Sequence, residues 1–199
     1  MSLYALKPKF QALLRPMTGA LHRLGATANQ VTIGACMVSV GLGALLCANP
    51  APALFLLVPA WLLLRMGMNA IDGMLAREFG QQTRLGAYLN ELTDVISDAA
   101  LYAPFALLPG SSPWLVGVLI VLAVVSEMAG VLAAARGAER RYDGPMGKSD
   151  RALVFGATGL LAGAGVPMTG AIDWLWGAVI ALLALTVVNR VRRGMANGR

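Results

Sequence analysis

The chain has 199 residues, 57% of them hydrophobic and 13% charged, with a mean hydropathy of +0.67. A soluble domain carries about 25% charged residues, so the composition excludes a soluble globular class and indicates one membrane-embedded helical bundle. The net charge of +6 then belongs to basic loops that set orientation and meet anionic lipid, not to a nucleic-acid surface.

Residues 3–24 place Leu3, Leu6, Phe10, Leu13, Leu14 and Met17 at helical spacing among Lys7, Lys9, Arg15, His22 and Arg23. That pattern predicts an amphipathic helix lying on the membrane surface. No compact apolar block of a cleavable signal follows the basic N-terminus. Thr27 or Asn29 can cap the first span, which runs from about Gln30 to Cys47. Asn49-Pro50 and Pro52 turn the chain into a second span, Ala51 to about Ala76, with Arg65 inside it. Gly80-Gln81-Gln82-Thr83 is a compact loop, and the third span, Arg84 to Leu108, carries Asn90, Glu91, Asp94 and Asp98.

Residues 109–113 end that helix, and a fourth span continues to about Ala135 with Glu127 inside it. Residues 136–151 form the longest polar loop. The fifth span, about Ala152 to Val166, carries Gly156, Gly159 and Gly163, small residues whose spacing lets helices approach closely in lipid. Pro167 to Gly170 turn the chain, the sixth span ends near Val188, and a basic tail closes it. The expected fold is all-α and single-domain across 1–199: a juxtamembrane helix within 1–26, six transmembrane helices over 30–188 and a tail over 189–199. Cys36 and Cys47 have neither disulfide nor metal-ligand spacing and read as small packing residues.

Charge counting sets the orientation. With six spans, 15 of the 16 Lys and Arg residues fall on one side, the exception being Arg65 within a span. By the positive-inside rule, both termini and the loop joining the second and third spans are cytoplasmic, in the inner membrane.

Polar residues concentrate between positions 69 and 98. Asn69 and Asp72 are three apart and share a helix face; Gly86, Asn90, Asp94 and Asp98 are each four apart and share another. The short loop predicts antiparallel neighbours whose faces converge, with Gly73 and Gly86 leaving room for a ligand. Carboxylate and amide oxygens suit Mg²⁺ or Mn²⁺ with phosphate oxygens completing the shell. A carboxylate cluster within a membrane bundle is expensive and points to function.

The stretch N69-x2-D72-G73-x2-A76-R77-x8-G86-x3-N90-x3-D94 resembles the signature D-x2-D-G-x2-A-R-x8-G-x3-D-x3-D of CDP-alcohol phosphotransferases. Every spacing agrees, and the chain departs only in Asn at the first and third acidic positions. The resemblance implies transfer of a phosphatidyl or other phosphoalcohol group from a CDP-linked donor, such as CDP-diacylglycerol, to an acceptor hydroxyl with release of CMP. It also implies two divalent cations on the acidic positions, and a homodimer. Carried over by position, Asn69, Asp72, Asn90 and Asp94 are the metal side and Asp94 the base. Gly73, Ala76, Arg77 and Gly86 line the cytidine-diphosphate pocket. Asn offers a carbonyl ligand but no charge, and Asp98, one turn on, can compensate as a further ligand or serve as a buried hydrogen-bonded carboxylate. Three readings follow from these departures: an active enzyme with a modified or single-metal site, one with altered substrate charge, and a non-catalytic relative that binds nucleotide-lipid or acts as a scaffold.

Outside the stretch, Arg65 and Glu127 are expected to neutralise each other within the membrane. Lys148 and Arg151 are read either as solvated topology-setting residues or as a basic site for an anionic acceptor.

Overall fold

The computed structural model describes residues 7–196, which contain seven α-helices and no strand. Leu3 and Leu6 of the predicted surface helix and Arg199 of the tail lie outside them. The helices are α1 (Lys7–Arg23), α2 (Ala28–Ala48), α3 (Leu57–Glu78), α4 (Arg84–Tyr102), α5 (Pro113–Ala135), α6 (Lys148–Gly163) and α7 (Ile172–Ala196). Short 3₁₀ turns at Pro52–Leu56 and Ala103–Leu107 precede α3 and extend α4.

Local chemistry sets the boundaries. Thr27, not Asn29, caps α2 through a reciprocal box: its hydroxyl accepts from Gln30 N at 3.2 Å, and its own N–H donates to Gln30 Oε1 at 2.9 Å. Thr83 caps α4 by accepting from Gly86 N at 2.9 Å. At α6 the Asp150 carboxylate accepts from Gly147 N at 2.9 Å, so the helix begins at Lys148. Lys148 and Arg151 therefore belong to its first turn, not to the loop.

Four stretches are long and apolar enough to cross a membrane: Ala28–Ala48, Pro52–Glu78, Pro113–Ala135 and Ile172–Ala196. α4 carries Arg84, Glu91, Asp94 and Asp98, and α6 has only 16 residues, so neither stands out by length and composition.

Neighbouring helices follow the order α6, α3, α2, α4, α5, α7. The row curls closed where Phe155 of α6 stacks on Trp176 of α7 at 5.2 Å between ring centroids. Tyr102, Phe105 and Phe155 fill the same interior, with Tyr102 stacked on Phe155 at 3.7 Å and Phe105 edge-on to it at 4.9 Å. This aromatic core lies toward the end where α3 and α7 begin. Trp176 Nε1 there donates to Ser111 Oγ at 2.9 Å, and the Asp173 carboxylate accepts from Ser112 N at 2.8 Å and from the Ser112 hydroxyl.

The expectation that α3 and α4 pack side by side is corrected. α2 packs against both of them, while α3 and α4 make few direct contacts. Close approach of α2 to α4 depends on Gly43, where a Cβ would lie 2.2 Å from the backbone oxygen of Ala100. Backbone cannot yield as a side chain does, so Gly43→Ala is expected to cost about 1–3 kcal/mol, read as a lower thermal midpoint in detergent. An unchanged midpoint would refute this contact. The α6 glycines pack as expected: a Cβ on Gly159 would lie 3.0 Å from the Phe55 backbone oxygen, and one on Gly163 2.4 Å from Leu56 Cγ.

Candidate functional site

Up-and-down chain direction brings the C-terminal ends of α3, α5 and α7 to the same end as the first turns of α4 and α6. Polar residues from all five helices meet there. On α3, Asp72 is buried at 6% exposure and its Oδ2 accepts from Thr32 Oγ1 of α2 at 2.8 Å. Thr32 was not foreseen, since a threonine four residues into an apolar span reads as neutral helix surface.

One turn and more before Asp72, Arg65 spans the gap that α2 leaves between α3 and α4. Its Nη1 lies 2.6 Å from Asp98 Oδ1, and its Nη2 lies 3.2 Å from Asp94 Oδ1 and 3.1 Å from the Asp94 carbonyl. The pairing of Arg65 with Glu127 is thus corrected: Arg65 serves α4. Glu127 of α5 instead meets three arginines, Arg151 at 3.0 Å, Arg190 at 3.3 Å and Arg140 at 3.3 Å. Arg140 also pairs with Glu91.

Asp98 is 5% exposed, and its second oxygen lies 3.0 Å from Arg151 Nη2. It is the centre of a buried ion-pair chain running Arg65–Asp98–Arg151–Glu127–Arg190 across α3, α4, α6, α5 and α7. With both oxygens bound to guanidinium groups, Asp98 is a structural hub in this arrangement and not an open ligand. Arg151 is 1% exposed, so neither the solvated-loop reading nor direct acceptor contact matches its surroundings. Arg190 was assigned to the basic tail, but α7 continues to Ala196. There Arg190 is 2% exposed and donates to the Ser126 backbone oxygen at 2.6 Å. The available signal was Glu127 itself, a membrane carboxylate that demands cationic partners.

Lys148 differs from these arginines. Its Nζ lies 2.5 Å from Asp94 Oδ2, with its side chain 33% and that of Asp94 20% exposed. This pair therefore sits at the open side of the cluster.

Of the remaining predicted residues, Asn69, Asn90, Gly73, Ala76 and Gly86 are partly buried on the same ends of α3 and α4, and Arg77 is exposed. The Arg77 guanidinium lies over Gly73, where a Cβ would be 2.8 Å from Arg77 Nη2. The space beside Gly86 is filled by Asn29 of α2, whose Oδ1 would be 2.8 Å from a Cβ there. Residues 136–147 fold beneath the network. Partial burial alone would raise the Asp143 carboxyl, but hydrogen bonds from Arg141 and Arg193 hold it below its ordinary value.

The donor set determines what cation can be held. Among the described residues no three His, Cys, Asp or Glu side chains form a metal-holding group. Asp72 is the one motif carboxylate whose side-chain partner is neutral, and Asn69 and Asn90 can add amide oxygens. Asp94 already has Lys148 on one oxygen and Arg65 on the other. The Asp72 side, with its amide oxygens, fits a divalent cation.

Residues 26–188 match the family profile described as CDP-alcohol phosphatidyltransferase. The chain belongs to the CDP-alcohol phosphatidyltransferase family. It is a membrane transferase of phospholipid biosynthesis. Among its relatives, the inner membrane protein YnbA of Escherichia coli is 47% identical over 192 residues, covering 96% of each chain. The phosphatidylinositol phosphate synthase of Corynebacterium glutamicum is 30% identical, covering 96% of this chain and 87% of that one. The crystal structure of Mycobacterium tuberculosis phosphatidylinositol phosphate synthase with CDP-DAG bound superposes with a TM-score of 0.73 at 23% identity, covering 90% of this chain and 92% of that one. The same enzyme with manganese and citrate gives 0.74, covering 90% and 88%. These last two likenesses establish the fold.

Proposed function

We propose that the chain transfers the phosphatidyl group of CDP-diacylglycerol to an acceptor hydroxyl, with Mg²⁺ or Mn²⁺ as cofactor. The observation that carries this reading is the placement of Asp72, held by Thr32, and Asp94, held by Arg65 and Lys148, at the same mouth of the bundle as exposed Arg77. The CDP-DAG bound to the mycobacterial enzyme of the same fold supports the choice of donor.

In the bundle, α4 and α6 complete six spans, their charges shielded inside the ring. Both termini and the mouth face the cytoplasm, and α1 lies along the membrane surface, its Arg15 bonded to Glu78 at the end of α3. The active unit is a homodimer.

Gly73, Ala76 and Arg77 receive the cytidine diphosphate, Arg77 swinging from above Gly73 to the phosphates, where a guanidinium offers a bidentate match. Asp72, with the amide oxygens of Asn69 and Asn90, would hold the cation, which supplies charge neutralisation at the pyrophosphate. Asp94 takes the proton of the acceptor hydroxyl. A carboxylate offers about four lone-pair directions, so its contacts with Arg65 and Lys148 leave about two, enough for the substrate hydroxyl. The acceptor oxygen bonds to the phosphatidyl phosphorus as the bond to the CMP oxygen breaks, and CMP departs. Lys148 stands at the acceptor's entrance, and Arg151 positions Asp94 from below through Asp98 and Arg65.

Purified protein given labelled CDP-diacylglycerol, Mg²⁺ or Mn²⁺ and a panel of acceptors is expected to release CMP with at least one of them. The panel would include glycerol 3-phosphate, an inositol phosphate, serine and phosphatidylglycerol, with products identified by mass spectrometry. Metal-dependent CDP binding without turnover on any acceptor would overturn the proposal in favour of the non-catalytic relative that Asn69 and Asn90 suggest.

A further inference from the structure

The positive charge at Asp94 comes from the protein. Lys148 Nζ lies 2.5 Å from one of its oxygens and Arg65 Nη2 3.2 Å from the other. Asp98 is likewise enclosed, by Arg65 at 2.6 Å and Arg151 at 3.0 Å. Of these three aspartates, Asp72 is the one with a neutral side-chain partner, Thr32. Asn69 and Asn90 bring carbonyl oxygens but no charge. Two amides where two carboxylates would stand remove two negative charges, which equals the charge of one divalent ion. The amides and the lysine are thus complementary: fewer anionic ligands are present, and one of the remaining carboxylates is already neutralised.

We infer that this chain works with one divalent cation, on the Asp72 side of the site, and that Lys148 takes the place of a second cation at Asp94. The inference rests on the proposed phosphatidyl transfer and deepens it. An ammonium is suited to this task, being a compact point charge on a flexible stem. It reaches Asp94 from the first turn of α6 at the open side of the mouth, whereas the buried arginines are fixed by several partners. The Asp94–Lys148 pair then stays available to a hydroxyl substrate, and the chain does not require a second metal to enter before turnover.

The test counts metal independently of turnover. The full chain, purified in detergent with excess CDP as probe for the donor, is titrated with Mn²⁺ while free ion is followed by electron paramagnetic resonance. Wild type is expected to bind one Mn²⁺ per chain, with no spectrum of two coupled ions ~3.5–4 Å apart. Asp72→Ala should lose it, and Lys148→Gln should keep it. The triple variant Asn69→Asp, Asn90→Asp, Lys148→Gln should gain a second, coupled ion. Two ions in wild type, none in wild type, or loss of the ion in Lys148→Gln would each overturn the inference. Wild-type stoichiometry decides the number of cations even if the triple variant does not fold, and the double variant Asn90→Asp, Lys148→Gln then tests the place of Lys148: a second ion supports it and a single ion overturns it. Two ions together with CMP release would sink the single-cation inference and leave the transferase reading standing. One ion without CMP release on any acceptor would do the reverse.

Discussion

Asp94→Asn is expected to lower CMP release by roughly 10²–10⁴-fold, the usual contribution of a positioned proton acceptor, with little change in fold. The substitution keeps the side-chain shape and removes the charge. Arg65 loses one partner but keeps Asp98 at 2.6 Å, so no guanidinium is left buried and alone. Lys148, with a side chain 33% exposed, can turn to water. Because the cation is placed on Asp72, Asp94→Asn should retain its Mn²⁺ while Asp72→Ala loses both metal and activity. Turnover by Asp94→Asn within tenfold of wild type, measured with the best acceptor, would remove Asp94 from the chemistry. A lost Mn²⁺ would instead reassign it as a ligand.

Sequence spacing can nominate this candidate site because the residues that define it are local. Asn69, Asp72, Gly73, Arg77, Gly86, Asn90 and Asp94 lie within two helices and one loop, so helical periodicity alone places them on shared faces. Helix existence was equally readable, since an apolar run of about 20 residues has few options in a bilayer. What periodicity does not carry is which helices touch. Proximity along the chain suggested α3 beside α4, but Gly43 lets α2 approach α4 and occupy that position. Partner choice failed for the same reason: Arg65 and Glu127 looked like a pair because both are charged and within spans. The depth of each along its helix and the order of helices around the ring decide instead for Arg65 with Asp98 and Glu127 with Arg151. Arg190 reads as tail because Arg192, Arg193 and Arg199 follow it, whereas the buried face of α7 extends to include it.

The ion-pair chain sets the cost of disturbing the mouth. Glu127 pairs with Arg151, Arg190 and Arg140; Arg151 keeps Asp98 and Arg140 keeps Glu91 when it is removed, so the uncompensated charge falls on Arg190, which is 2% exposed. Glu127→Ala is therefore expected to destabilise by about 3–5 kcal/mol, the effect of leaving buried charge uncompensated. At the scaling for chains of this length that is a drop of roughly 6–20 °C in thermal midpoint, read by the fraction remaining monodisperse after heating in detergent. Removing the cation left alone as well should relieve part of the loss, so Glu127→Ala with Arg190→Ala is expected to be less damaging than the two single changes added together. Asp98 would still hold Arg65 in that double variant, and the catalytic carboxylates would remain anchored. A midpoint unchanged in Glu127→Ala would mean that water or lipid headgroups reach the three guanidinium groups. The network would then be an open basic surface, and an anionic acceptor could enter it.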